Sequence, residues 1–150
     1  MGDDSHIMIR VLSEPKYLSV VRAAVTEAAT RAGFNEETIG KIELAIDEAL
    51  TNVIRHGYKG CTDRPIWLKM TPIQNGEHSG MEFVIEDETP EVDMAKIKGR
   101  PLDEIRPGGL GVHIITGVMD QVEYARCPDG SGLRLKMVKW LNAAASAKKD

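Results

Sequence analysis

The sequence predicts an α+β domain, because stretches with helical spacing of apolar residues are interspersed with short runs that alternate apolar and polar residues. Three stretches have helical spacing; they follow Ser13, Asn35 and the glycines at 108–111. Five runs are typical of strands: 7–12, 66–71, 81–86, 122–124 and 133–137. The elements account for most of the chain and leave one long connection, at 88–107.

Composition excludes several classes of protein. The 150 residues are most simply one domain, large enough to bury a core without disulfides, and 42% hydrophobic with 28% charged residues is ordinary for a globule. A net charge of −4 disfavours direct nucleic-acid binding. Cys61 and Cys127 fit neither a disulfide framework nor a zinc motif, which favours the cytoplasm. Neither a membrane span nor a signal peptide is expected.

The first two helices have clear predicted boundaries. Residues 7–12 form an edge or second strand, and Ser13 is the expected N-cap of a first helix that has Pro15 in its first turn and ends at Gly33. Asn35 is the expected N-cap of the second helix.

We expect residues 1–6 to be disordered, 7–142 to form the domain and 143–150 to be a flexible tail.

The second helix carries the most informative side chains. Its apolar stripe recurs at steps of three and four residues: Ile39, Ile42, Ile46, Ala49, Leu50 and Val53. Glu48 and Asn52 lie four residues apart on a face turned away from that stripe, where both head groups can reach one ligand. A carboxylate stacked over a carboxamide suits a metal ion with its bound water.

A long hairpin follows. Its first strand, from Ile66, is expected to end near Pro72, and 75–80 form a polar connection to the second strand, which leads into Asp87. Residues 88–107 have no sustained apolar period and are expected to be a lid over a ligand, with one helical turn at 102–105. The last two strands are joined by a turn at 129–132.

Three ordered blocks resemble one family. The segment Glu48-Ala-Leu-Thr-Asn52, followed by His56-Gly57-Tyr58, resembles the N-box of the Bergerat-fold (GHKL) ATPases, in the version found in serine kinases that act as anti-sigma factors in bacterial partner switching. The second block is Val84-Ile85-Glu86-Asp87, and the third runs from Gly108 through Val112 to Met119-Asp120. The resemblance covers roughly residues 7 to 140 and implies a two-layer α/β sandwich, with helices on one face of a mixed, mostly antiparallel sheet.

The resemblance also implies roles for individual residues. Asp87 would accept a hydrogen bond from the adenine amino group of ATP, Asn52 would place its carbonyl oxygen on Mg²⁺, and Glu48 would be the general base. The phosphates would be bound by the turn at Gly109, Leu110, Gly111 and Val112, and by Arg106 in the lid. His56 would have a structural or gating role and Arg22 would contact a protein partner, whereas Asp47 is expected to be a solvated neighbour or a supporting acid.

Two positions depart from the family pattern. The Asp87 block usually continues Asp-x-Gly, but Thr89 stands in the glycine position. The last strand commonly opens Gly-Thr, but this chain has Gly132-Leu133 and lacks the hydroxyl that helps to hold adenine. One lost hydrogen bond of this kind lowers nucleotide affinity by up to about tenfold.

The sequence is therefore consistent with two hypotheses of function. In the first, the protein is an ATP- and Mg²⁺-dependent serine/threonine kinase that phosphorylates a STAS-like anti-anti-sigma protein and otherwise sequesters a sigma factor, with a homodimer implied by the family. In the second, it is a non-catalytic module that holds a regulatory partner with weak or no nucleotide binding. A sensor histidine kinase is disfavoured, because a helix pair with a phosphoacceptor His does not fit before residue 7. A metal site at Glu48 and His56 lacks a third ligand.

Overall fold

The computed structural model describes residues 6–89 and 110–141, which form three α-helices and five strands. The helices are α1 (Leu18–Ala32), α2 (Glu36–Asn52) and α3 (Leu110–Val118), with a 3₁₀ turn at Pro15–Tyr17 before α1 and a π-helical segment at Val53–Gly57 after α2. The strands are β1 (Ile7–Leu12), β2 (Pro65–Asn75), β3 (His78–Asp87), β4 (Gln121–Arg126) and β5 (Leu133–Trp140). The predicted α+β class is confirmed.

The five strands form one sheet in the order β1-β2-β3-β5-β4, and each neighbouring pair is antiparallel. Leu68 lies opposite Ile85, which in turn lies opposite Leu135, so alternate residues of the central strands share one face. That face packs with the helices in a single core. The other face carries cross-strand ion pairs, such as Lys136 with Glu82. This arrangement is the predicted two-layer sandwich, and the described strands differ from the predicted mixed sheet only in that every pairing between them is antiparallel.

The predicted limits of the first two helices hold where local chemistry sets them. Gly33 adopts a left-handed conformation, with φ of 105°, at the end of α1. Asn35 Oδ1 accepts a hydrogen bond from the backbone N–H of Thr38 at 2.8 Å, as an N-cap should. The predicted apolar stripe of α2 is buried except for Val53, which is only partly buried.

The prediction that Ser13 caps the first helix is wrong. Ser13 is fully buried, and its hydroxyl donates to the Cys61 carbonyl oxygen at 2.6 Å and accepts from the Arg64 backbone N–H at 3.1 Å. The Ser13 backbone N–H also donates to the Arg64 carbonyl oxygen. The side chain therefore anchors the end of β1 to the loop before β2, and the chain enters α1 through the 3₁₀ turn instead.

The hairpin is longer than predicted, because β2 continues through Pro72 to Asn75. Pro72 lies two residues past Met70, the partner of Ile7 at the start of β1, so its missing N–H faces a side with no described strand. Asn75 pairs with His78, which leaves only two residues in the turn. Gly76 occupies the first of them with φ of 63°, a conformation that favours glycine.

Some predictions lie outside the described residues. These are the predicted disorder of residues 1–6, of which only His6 is described, the prediction of a lid with a helical turn for the part that falls within 90–109, and the predicted flexible tail at 143–150. Among the described helices, none combines the length and apolar character needed to cross a membrane.

Candidate functional site

Glu48 and Asn52 occupy the last two turns of α2, and both are half-buried. Their separation of four residues places them one above the other along the helix. After Asn52 the helix widens into the π-helical segment Val53–Gly57, which contains the half-buried His56. Single-turn π-helical segments are frequent at functional sites. The sequence predicts the spacing of Glu48 and Asn52 but not this widening, which has no simple sequence signal.

Asp87 ends β3 and is only 5% exposed. Its Oδ1 accepts hydrogen bonds from the backbone N–H of Thr89 at 2.7 Å and of Leu133 at 3.3 Å. The start of β5 passes so close that a Cβ on Gly132 would overlap the Asp87 carbonyl oxygen. The carboxylate is therefore held in one orientation by two chain segments, and among described residues both of its hydrogen bonds use Oδ1.

Thr89 occupies a space that Gly57 leaves open. A Cβ on Gly57 would lie 2.5 Å from Thr89 Oγ1, well inside normal contact distance. Thr89 is 5% exposed, and its hydroxyl has no hydrogen-bond partner within the described part of the chain. The side chain that departs from the family pattern is thus accommodated against the end of the π-helical segment.

Tyr58 joins the same region from the other side. Its hydroxyl donates to the Pro65 carbonyl oxygen at 2.6 Å and accepts from the Glu88 backbone N–H at 2.7 Å. The ring is 4% exposed, with the Arg64 guanidinium carbon 5.3 Å from its centroid. Burial raises the pKa of the Tyr58 hydroxyl to about 12. The sequence does not predict this role of Tyr58; the one available signal is that a buried tyrosine needs a hydrogen-bond partner.

Arg22 makes an ion pair within the protein. Its Nη2 lies 3.2 Å from both Asp47 carboxylate oxygens, which ties α1 to α2. Thr26 and Glu43 make a second hydrogen bond between these helices. The Arg22 side chain is still 42% exposed, so its role in partner contacts stays a prediction. The prediction for Asp47 as a solvated neighbour is incomplete, because Asp47 is the partner of Arg22.

The phosphate-binding residues are described only in part. Arg106 and Gly109 lie outside the described residues, whereas Leu110, Gly111 and Val112 form the first turn of α3. Within 6–89 and 110–141, no three His, Cys, Asp or Glu side chains converge on a common point suited to a metal ion.

An antiparallel five-stranded sheet, covered by a helix that carries a Glu/Asn pair and ending beside a buried aspartate, defines the class of fold. Residues 11–139 match the family model for the histidine kinase-like ATPase domain, and the chain belongs to this family. The membership predicted from the three sequence blocks is confirmed.

Curated relatives named serine-protein kinase RsbW match most of the chain. The one from Listeria monocytogenes serotype 4a is 28% identical over 141 residues, which cover 91% of this chain and 87% of the relative. The one from Bacillus subtilis is 25% identical over 145 residues, covering 91% and 86%. The one from Oceanobacillus iheyensis is 29% identical over 131 residues, covering 82% and 80%.

A solved structure shares the fold. The crystal structure of the RsbU and RsbW domains of Rv1364c from Mycobacterium tuberculosis superposes with a TM-score of 0.59 at 14% identity. The match covers 92% of this chain and 33% of that longer one.

Proposed function

We propose that the protein is an ATP-dependent serine/threonine kinase that acts as an anti-sigma factor. The observation that carries the proposal is the Glu48 and Asn52 pair, one turn apart on α2 of a histidine kinase-like ATPase domain. Support also comes from the relatives named serine-protein kinase, which match at least 82% of the chain in the three cases above.

The buried end of β3 is suited to bind the nucleotide base. Asp87 offers an acceptor-only carboxylate, and its orientation is fixed by the Thr89 and Leu133 backbone N–H groups. An adenine amino group is a donor, so it matches this carboxylate. Gly109 to Val112, where α3 begins, would bind the phosphates through backbone N–H groups, with Arg106 assisting.

The reacting end of the site lies on α2. Bound ATP with Mg²⁺ supplies the phosphoryl group, and Asn52 would hold the metal through its carboxamide oxygen. Glu48 would accept the proton from a serine or threonine hydroxyl of the substrate, so that the hydroxyl oxygen becomes a better nucleophile. His56 follows one turn beyond Asn52 in the π-helical segment and is assigned a gating or structural role.

The proposed partners are a STAS-like anti-anti-sigma protein, which receives the phosphate, and a sigma factor, which is sequestered. Arg22 is the proposed contact residue on α1. Because Arg22 is paired with Asp47, a partner carboxylate would either share the guanidinium or replace Asp47. The homodimer and the cytoplasmic location remain proposals based on the family resemblance and composition.

A non-catalytic partner-holding module is the second candidate, and one observation favours it. The Thr89 side chain, where the family pattern has glycine, is buried against Gly57 beside Asp87. Leu133 also lacks the hydroxyl of the usual threonine, so both departures from the family pattern lie at the proposed base site. Detectable phosphoryl transfer to any STAS-like substrate would rule out this candidate.

The test is transfer of the γ-phosphate of radiolabelled ATP to a serine of a STAS-domain protein. We expect Glu48→Gln to abolish transfer while ATP affinity is retained, because the amide cannot accept the proton. Glu36→Gln, an exposed acid in the first turn of α2, is the matched control and should leave transfer unchanged. Undiminished transfer by Glu48→Gln would contradict the assigned role.

A further inference from the structure

Thr89 carries a buried hydroxyl without a partner. The residue is 5% exposed, yet its Oγ1 makes no hydrogen bond to any other described residue. Leaving such a group unpaired costs folding free energy, so buried hydroxyls in native proteins are generally satisfied. The backbone N–H of the same residue is satisfied, because it donates to Asp87 Oδ1 at 2.7 Å.

The position of this hydroxyl is fixed on both sides. The turn between Asp87 and Thr89 is closed by a side-chain-to-backbone hydrogen bond, which holds the Thr89 backbone next to the carboxylate. On the other side Oγ1 fits into the space at Gly57, and the branched side chain has few rotamers available. The hydroxyl is thereby held between the carboxylate that ends β3 and the π-helical segment that follows Asn52.

We propose that the Thr89 hydroxyl is a second base-recognition group, donating a hydrogen bond to a ring nitrogen of the base whose amino group Asp87 accepts. This inference rests on the proposed nucleotide site. An amino group flanked by ring nitrogens, as in adenine, presents a donor beside an acceptor. The Asp87 carboxylate is an acceptor, and the hydroxyl of Thr89, whose backbone N–H binds that carboxylate, is a donor that no described residue uses.

The first experiment compares Thr89→Val with Thr89→Ser by calorimetric titration with MgATP and MgADP. Valine keeps the branched shape and removes the hydroxyl, whereas serine keeps the hydroxyl. We expect Thr89→Val to weaken the binding of both nucleotides by the same factor, about two- to tenfold, because the contact is to the base. Thr89→Ser should stay within about twofold of the wild type.

The second experiment identifies the acceptor with 1-deaza-ATP and 7-deaza-ATP, each of which lacks one ring nitrogen beside the amino group. Wild type and Thr89→Val should bind one of these analogues with equal affinity, because the acceptor is already missing. A loss that persists with both analogues, or equal ATP affinity of wild type and Thr89→Val, would overturn the inference.

Two further outcomes distinguish base recognition by Thr89 from failure of the proposed nucleotide site and from a purely structural role of the hydroxyl. A wild-type protein that binds no ATP would overturn the proposed nucleotide site and this inference with it. A Thr89→Val variant with a lower free energy of unfolding but unchanged ATP affinity would assign the hydroxyl a purely structural role. We expect the opposite: without nucleotide, urea unfolding should show Thr89→Val to be at least as stable as the wild type, because the hydroxyl it removes is unpaired.

Discussion

At the scale of single residues, Gly57 and Thr89 are complementary in size. A Cβ on Gly57 would lie 2.5 Å from Thr89 Oγ1, while the Thr89 Cβ would be at an ordinary 3.7 Å. We expect Gly57→Ala to lower the free energy of unfolding by about 1 to 3 kcal/mol through this overlap. In a Thr89→Ala background the same substitution should cost less than half as much, as measured by a double-mutant cycle in urea. Equal costs in the two backgrounds would mean that the pair does not interact.

Tyr58 is the second residue whose removal should be costly. Tyr58→Phe leaves the Pro65 carbonyl and the Glu88 N–H without their partner, so we expect a loss of about 1 to 3 kcal/mol in unfolding free energy. Tyr17→Phe is the matched control, because the Tyr17 ring is exposed. A Tyr58→Phe variant as stable as this control would show that water replaces the hydroxyl at no cost.

The Tyr58 hydroxyl also predicts a pH dependence. Burial raises its pKa from the ordinary 10.0 to about 12, so its contribution to stability is complete below pH 10 and is lost as the pH rises towards 12. Over that range, wild type should lose on the order of 2 to 3 kcal/mol more than Tyr58→Phe. Urea unfolding of both proteins in steps across this range measures the difference. Parallel pH profiles would contradict it.

Local patterns predicted the residues of α2 well, whereas contacts between distant residues were not predictable. Glu48 and Asn52 are four residues apart, so helix geometry alone brings them to one face. The Ser13 hydroxyl instead contacts a residue 48 positions away, and the Tyr58 hydroxyl one that is 30 positions away. The periodic pattern of apolar residues does not indicate contacts between residues so far apart in the sequence. The sequence therefore predicts Ser13 as a helix cap and does not predict the fit of Thr89 against Gly57.

At the scale of the elements, one substitution in α2 is expected to increase the stability of the protein. Gly40 is exposed in the helix, and a Cβ there would meet nothing within 4 Å. Gly40→Ala should therefore raise the unfolding free energy by about 0.5 to 1 kcal/mol, because alanine loses less backbone entropy in a helix. Nucleotide affinity should be unchanged. Destabilisation by Gly40→Ala would show that α2 is not helical at this position in solution.

At the junction of β3 and β5, in contrast to Gly40, a glycine has no room for a side chain. A Cβ on Gly132 would overlap the Asp87 carbonyl oxygen, which belongs to the backbone and cannot move without separating the two strands. We expect Gly132→Ala to reduce stability by about 3 kcal/mol or more. Gly130 is a poor control because its φ is 77°, so Gly117→Ala, with open space around it, serves instead. Urea unfolding of both variants provides the comparison, and equal stability would contradict the close approach.

The elements themselves were largely predictable, and their ends were less so. Asn35 caps the start of α2 and Gly33 ends α1, each through its own local chemistry, so the sequence predicts those boundaries. The length of β2 depends on where β1 begins, because Pro72 is tolerated only where its missing N–H needs no partner. The position of Pro72 relative to the end of β1 is a property of the assembled sheet, so it cannot be predicted from the residues near Pro72.

At the scale of the whole molecule, fold and family are established, and the chemistry depends on one site. The chain belongs to the histidine kinase-like ATPase domain family over residues 11–139. Three separate segments converge at the end of β3: the turn at Thr89, the start of β5 and the residues after α2. Fold alone does not decide between a kinase and a partner-holding module, because function depends on the site.

The most direct test of this account is calorimetric titration of the purified protein with ATP, with and without Mg²⁺, alongside Asn52→Ala and Asp87→Asn. We expect saturable binding that is strengthened by Mg²⁺. Asn52→Ala should remove the Mg²⁺ dependence, and Asp87→Asn should weaken ATP and ADP alike, because it acts on the base. No detectable binding by the wild type, or binding indifferent to Mg²⁺ and to both substitutions, would contradict a nucleotide site built from α2 and the end of β3.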